Sequence, residues 1–293
     1  MFDLRYHVAS LAAVFIALII GILVGVGLAG SGVTSKADLR AAKLQNDRLA
    51  AALAQALAQV KDLGRNQKEF QLAYPALMAG RLTGMHVAVL FVGPIDVSVR
   101  GAIEKTLTDA GAQGPVRIRA LKVPIDAQAI DTILFAHAAY VKYVGDDKLG
   151  ALGRALAGEF TLGGATPLWT LLSRKLVEEF RGPAAPRADA VIVVRSVKPQ
   201  QDGTARFLTG LLGGLGTGGI PVVGVEQTKT QPSAVPAFSD RGLSSVDDVD
   251  QLVGRFALAL LLSGAAHGRY GVKQTASEGP FPLPVEPLAV SPK

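Results

Sequence analysis

Residues 188–197 read ADAVIVVRSV. Ala190–Val194 is an unbroken apolar run, rich in β-branched residues and bounded by Asp189 and Arg195. A strand that is apolar on both sides must be covered on both sides, which is the signature of a parallel sheet between helical layers. Two further runs share the pattern: HVAVLFV at His86–Val92 and IPVVGVEQ at Ile220–Gln227. VRIRALKV at Val116–Val123 alternates instead, which predicts a strand with one wet face. Helical patterns fill the intervals: Ser98–Ala110, Asp126–Val144 in one or two pieces, Asp147–Phe160, Pro167–Phe180, Thr204–Leu215 and Val246–Ala266. Strands alternating with helices predict an α/β fold, a layered Rossmann-like domain with a mainly parallel sheet over residues 84–271. Ser245 reads as the cap of the last helix. Asp247, Asp248 and Asp250 read as acids favoured by its dipole. The tail, 272–293, is Pro-rich and is expected to be loose.

Upstream the composition changes. The first 30 residues read MFDLRYHVASLAAVFIALIIGILVGVGLAG, and Val8–Leu28 carries no charge. At about 1.5 Å per residue the run spans roughly 31 Å, the thickness of a hydrocarbon core. A cleaved signal peptide has a shorter apolar region, so length favours an uncleaved signal anchor over 1–30. Arg5 precedes the span and Lys36, Arg40 and Lys43 follow it, so charge alone does not orient it. The usual outcome for such an anchor is a short cytoplasmic N-terminus with the bulk exported. Ala9, Ala13, Ala17, Gly21, Gly25 and Ala29 form a small-residue stripe, and Gly21 with Gly25 makes a GxxxG pair suited to close helix contact.

Residues 35–80 carry a heptad. With Leu39 at position a, Asn46, Leu53 and Val60 follow at a, while Ala42, Leu49, Ala56 and Leu63 fall at d. A lone Asn at a favours a parallel two-stranded coil. Phe70, Tyr74 and Leu77 extend the register less regularly. The alternative is an amphipathic helix lying on its own domain. A parallel coil after a small-residue membrane helix is mutually consistent, since both demand the same parallel homodimer.

Composition excludes several chemistries. The chain has 293 residues, a net charge of +6 and no cysteine. Disulfides, thiolate metal sites and cysteine nucleophiles are therefore absent. Mean hydropathy is +0.33, high for a soluble protein. The basic residues are scattered, without a Lys/Arg block or interleaved aromatics, so nucleic acid is not an expected partner. The Ala/Gly/Val/Arg bias is that of a high-GC, actinobacterial-type genome. The run Gly210–Gly219 is Gly-rich, but it follows a helix and precedes a strand, the reverse of a phosphate-cradling loop. It reads as a tight αβ connection. Asp247, Asp248 and Asp250 lack a second acidic cluster for a metal. His7, His86, His137 and His267 have no paired spacing, and no G-x-S-x-G elbow exists. No catalytic set assembles, and no enzyme is expected.

Two blocks carry a resemblance. LRYHVASLAAVFIALIIGILVG, through Arg5, Tyr6, His7, Ser10, Leu11, Ala13, Val14, Phe15, Gly21 and Gly25, is similar to the start of the actinobacterial MctB family. SSVDDVDQLVGRFALALLLSGAAHGRYGV, through Ser245, Val246, Asp247, Val249, Asp250, Gly254, Tyr270 and Gly271, resembles its late block. The resemblance implies a role in copper transport or homeostasis, with copper as the possible metal and the outer membrane as a further location. Through SteB-like members it also implies envelope remodelling at division with a SteA-like cytoplasmic partner. One apolar helix per chain supplies no polar lumen, an outer-membrane barrel needs many alternating strands of about ten residues, and copper(I) prefers Cys and Met. The chain has three Met, one of them Met1. The expectation is therefore a single-pass, dimeric cell-envelope protein that binds a protein partner and does not itself catalyse. The alternatives are a direct copper channel or binder, and a nucleotide-binding enzyme with its ligand near Val92–Ser98.

Overall fold

The computed structural model describes residues 67–283, together with residues 43, 44 and 48. The chain divides into Met1–Lys68 and Glu69–Lys293. In the first unit, Lys43, Leu44 and Arg48 are helical. The anchor stretch with Gly21 and Gly25, the heptad positions Leu39–Leu63, the motif Arg5, Tyr6 and His7, and the tail beyond 283 lie outside the described residues. Among the described residues no helix is long and apolar enough to cross a membrane.

The second unit is built on a seven-stranded sheet. Helix α1 (67–78) leads into β1 (Val87–Val92), α2 (Val97–Asp109), β2 (Pro115–Leu121) and α3 (Ala127–Phe135). Then come α4 (Leu149–Leu162), α5 (Pro167–Leu176), β3 (Val177–Arg181) and β4 (Ala190–Arg195). The chain ends with α6 (Asp202–Gly216), β5 (Val222–Val225), α7 (Val235–Ser239), β6 (Ser244–Val246), α8 (Leu252–Leu262) and β7 (Arg269–Tyr270). The spatial order is β3-β2-β1-β4-β5-β6-β7. Every pairing is parallel except β2 with β3. The expected α/β architecture with a mostly parallel sheet is therefore present.

The period of two in a strand explains the unbroken apolar runs. Val87, Val89 and Phe91 face one core with Ile192 and Val194, covered by α1, α2 and α8. Ala88, Leu90 and Val92 face the other with Val191 and Val193, covered by α3, α4, α5 and α6. Each large apolar side chain so buried contributes about 1.5–3 kcal/mol.

Several sequence expectations change. Strand β2 has no wet face: Arg117 and Arg119 are only 1% and 2% exposed. Arg117 Nη1 donates to Phe160 O at 2.8 Å, and Nη2 donates to Pro186 O. Arg119 Nη1 donates to Ile118 O at 2.8 Å and to Arg181 O, and its guanidinium lies 3.3 Å from the Phe180 ring centroid. Backbone carbonyls and an aromatic face take the place of water. The predicted helix Pro167–Phe180 stops at Leu176, and Val177–Arg181 becomes the antiparallel edge strand that supplies Phe180.

The predicted helix from Val246 begins only at Leu252, behind Gln251. Ser245 is not a cap but the middle of β6, and Asp247 and Asp248 precede the helix. A strand of three residues is too short to announce itself by periodicity. The run Gly210–Gly219 is helical as far as Gly216, so it is more than a connection. Gly153 of α4 and Gly210 of α6 let the two helices meet backbone to backbone: a Cβ on Gly153 would fall 2.6 Å from Leu211 N.

Phe70, Tyr74, Leu77 and Met78 of α1 pack against the globular core. Tyr74 donates its hydroxyl to Asp109 Oδ2 at 3.2 Å. The start of the tail is also anchored, contrary to the loose tail expected. Phe281 stacks on Phe70 at 6.5 Å and meets Phe256 edge-on at 5.4 Å.

Candidate functional site

The late sequence block converges at the carboxyl ends of β5, β6 and β7. There Asp247, directly after β6, turns its carboxylate to the chain leaving β7. Oδ1 accepts from Val272 N at 2.9 Å and Oδ2 from Lys273 N at 3.2 Å. Its own amide donates to Tyr270 O at 3.1 Å. Between them Gly271 has φ +139°, and a Cβ there would overlap the Asp247 carboxylate. Both the strained conformation and the contact require glycine.

Lys273 then reaches inward. Its ammonium donates to Glu226 Oε1 at 2.6 Å, Gln227 O at 2.8 Å and Thr230 O at 3.0 Å. The Glu226 and Lys273 side chains are 1% and 12% exposed. Glu226 also accepts from Ser233 Oγ at 2.7 Å and Ala234 N at 2.5 Å. Asp250 accepts from Thr228 N at 2.8 Å and Thr228 Oγ1 at 3.0 Å, tying the loop after β5 to the loop after β6. Ser245 donates its amide to Gly268 O at 2.9 Å, while its buried Oγ has no partner. The Tyr270 hydroxyl donates to Ala266 O at 3.1 Å. Ser245, Asp247, Asp250, Tyr270 and Gly271 thus form one clasp: Ser245 joins β6 to the start of β7, Tyr270 braces the turn before it, Asp247 and Gly271 hold the C-terminal segment, and Asp250 joins the loops after β5 and β6.

A carboxylate beside the clasp is unsatisfied as well. Asp248 is fully buried, and among the described residues neither of its oxygens has a hydrogen-bond partner. Burial, then the charges of Asp247 and Asp250, push its pKa up to about 7. Burial also raises Asp247, against the pull of the amides of Val272 and Lys273.

Elsewhere the polar groups are dispersed. His86 Nδ1 lies 3.1 Å from Asp189 Oδ2 at the amino end of the sheet. His137 lies on Ile133 O and His267 on Gly242 O. Met78 is buried in the core. Among the described residues no group of three His, Cys, Asp or Glu is placed to hold a metal ion, so Asp247, Asp248 and Asp250 do not form the cation site considered from sequence. The region Val92–Ser98 offers no open helix terminus: Asp96 Oδ1 accepts from Ser98 N at 2.9 Å and Val99 N at 3.2 Å, filling the place a phosphate would take.

Residues 1–280 match the family model described as copper transport outer membrane protein, MctB. The chain belongs to the MctB family. A comparison with curated proteins finds no match. The family match spans the whole clasp of this MctB chain, including two residues that sequence reasoning missed, Glu226 and Lys273. A signal for each was visible: an acid at the end of an apolar strand, and a lysine two residues after the Tyr-Gly pair. What pairs them is the neighbouring position of β5 and β7 across β6, which no local pattern expresses.

Proposed function

We propose that this MctB-family chain serves copper transport in the cell envelope as a membrane-held parallel homodimer whose α/β domain engages a protein partner, without conducting copper or performing catalysis itself. The observation that carries this reading is the use made of the late family block. Asp247 and Gly271 fix the C-terminal segment, Asp250 joins the loops after β5 and β6, and the Tyr270 hydroxyl braces the turn before β7, so the block's hydrogen bonds go to the domain's own backbone and loops. A family block that rigidifies a domain suits a body that must present a constant surface. The chemistry of the donors supports the same reading: the chain has no cysteine, and Met78 lies in the core. The uncharged stretch Val8–Leu28 and the heptad from Leu39 to Leu63 supply the anchor and the pairing element of the proposal.

Two measurements test it. Cysteines placed singly at Leu49 and Leu53 of the full-length protein in membranes are expected to crosslink into dimers, and a monomer at both positions defeats the dimer. Calorimetric titration of the detergent-solubilised full chain with copper(I) is expected to show no tight stoichiometric binding. A tight one-to-one isotherm would replace the partner-binding reading with direct copper binding.

A further inference from the structure

A second polar site lies beside the clasp, at the carboxyl ends of β1 and β4. After β1 the chain crosses to α2 on one face of the sheet, and after β4 it crosses to α6 on the other. The two connections diverge and leave a crevice between them, the position at which open α/β sheets take ligands. The crevice has a volume of about 190 Å³ and is lined by Asp96, Arg195, Ser196, Lys198, Glu226 and Gln231 among others. Pockets for drug-sized molecules run to roughly 300–1,000 Å³, so any occupant is small.

The donors and acceptors around it are unevenly used. Both acids are engaged. Glu226 accepts from Ser233, Ala234 and Lys273. Asp96 Oδ1 accepts two amides of α2, and only its Oδ2 makes no hydrogen bond among the described residues. The donors are not. Arg195 is held by Nη2, which donates to Ser233 O at 3.2 Å and Pro232 O at 3.4 Å. Its Nε and Nη1 make no hydrogen bond among the described residues. Ser196 Oγ is buried and has no partner among the described residues. Lys198 is exposed and forms no ion pair among the described residues. A guanidinium anchored at one nitrogen and open at two others is pre-organised for an oxyanion. A buried hydroxyl without a partner marks a place where a bound group completes the hydrogen bonding.

We infer that the crevice between β1 and β4 binds a small oxyanion, a carboxylate or phosphate, on Arg195, Ser196 and Lys198, with a hydrogen-bond donor of the same ligand directed to Asp96. The filled terminus of α2 and the small volume separate this site from a dinucleotide pocket. The site stands apart from the partner-binding reading, and neither copper nor dimerisation enters its test.

The test is thermal unfolding of the full-length protein in detergent micelles, titrated at constant ionic strength with lactate, inorganic phosphate, acetate and ADP, and with chloride as the control. Lactate or phosphate is expected to raise Tm saturably, acetate less because it lacks the donor, and ADP no more than phosphate. Lys198→Gln and Arg195→Gln are each expected to weaken the apparent Kd at least tenfold. Because Arg195 also holds the Pro232–Ser233 loop, Arg195→Gln can fail to fold. Lys198→Gln, a solvent-facing change, decides the matter alone. The inference is overturned if lactate and phosphate both give no saturable shift beyond chloride. It is overturned equally if Lys198→Gln leaves the affinity unchanged, or if ADP binds much more tightly than phosphate.

Discussion

The two flanks of the sheet bury opposite charges and satisfy them differently. On the β2 side, Arg117 and Arg119 are buried without a carboxylate partner and donate to backbone carbonyls of α4, β3 and the loop before β4. On the β5–β7 side, Glu226 and Asp247 are buried and accept from amides, a hydroxyl and Lys273, while Asp248 accepts from nothing. Burial, followed by the neighbouring Arg117, lowers Arg119 only to about 10, so Arg119 stays charged at neutral pH, and burial lowers Arg117 as well. Asp248 is brought to about 7, so its charge is conditional there. The contrast follows from chemistry: a guanidinium has five donors and carbonyls are everywhere, whereas a carboxylate needs donors, and buried backbone amides are already taken by helices and strands.

The largest expected effect breaks the acid side. Glu226→Ala leaves Lys273 buried beside two carbonyls without its ion-pair partner, and losing one partner of such a pair costs about 3–5 kcal/mol. Urea unfolding of the full chain in detergent, followed by the fluorescence of the single tryptophan, Trp169, measures it. Trp169, on α5, is buried in the core against α4, where its indole N–H donates to Leu156 O, so it reports global unfolding.

The next effect sharpens the conditional charge. Asp248 has a folded-state pKa raised to about 7 from an unfolded value near 3.8. The folded state therefore holds the proton more tightly. The penalty for the charge is absent below about pH 4, grows as pH rises through 7, and is complete above it. At 1.36 kcal/mol per unit the difference across that window is on the order of 4 kcal/mol. Urea midpoints at pH 5 and pH 8 are expected to show lower stability at pH 8, and Asp248→Asn is expected to flatten most of that slope. An unchanged slope in Asp248→Asn would mean that another group sets it.

The smallest effect belongs to the arginine side. Arg119→Met keeps much of the side-chain volume, and the partner Arg181 lies on an edge strand within reach of water. The expected loss is about 1 kcal/mol, since deleting a buried ion whole, with an apolar replacement, is close to neutral. A loss as large as that of Glu226→Ala would show that the two sides of the sheet are equivalent after all.

The same asymmetry governs how much was legible. Ala190–Val194 and Val87–Val92 declared themselves as central strands because both faces of each are apolar. The crossover helices after β1 and β2 were read from their apolar pattern, and the structure adds their caps, Asp96 and Asp126, whose side chains accept from Ser98, Val99 and Ala129. The block Ser245–Asp250 misled because Ser followed by acids and an apolar run has the grammar of a helix start. The extra pairing edge offered by β5 draws Ser244–Val246 into the sheet instead. The wet face assigned to Val116–Val123 failed for a related reason. An Arg in an alternating strand reads as solvent-facing unless the carbonyls of distant segments are known to surround it.

The sequence by itself determined the layered α/β class, the strands β1, β2, β4 and β5 and the residues of the late block, because periodicity is a local property. Only the tertiary structure decided which buried charges are satisfied. It joined Asp247 to Lys273, Lys273 to Glu226 and Arg117 to Phe160, and it left Asp248 without a partner. Those pairings depend on which strands lie side by side, and adjacency in a sheet is set by the packing of the whole domain.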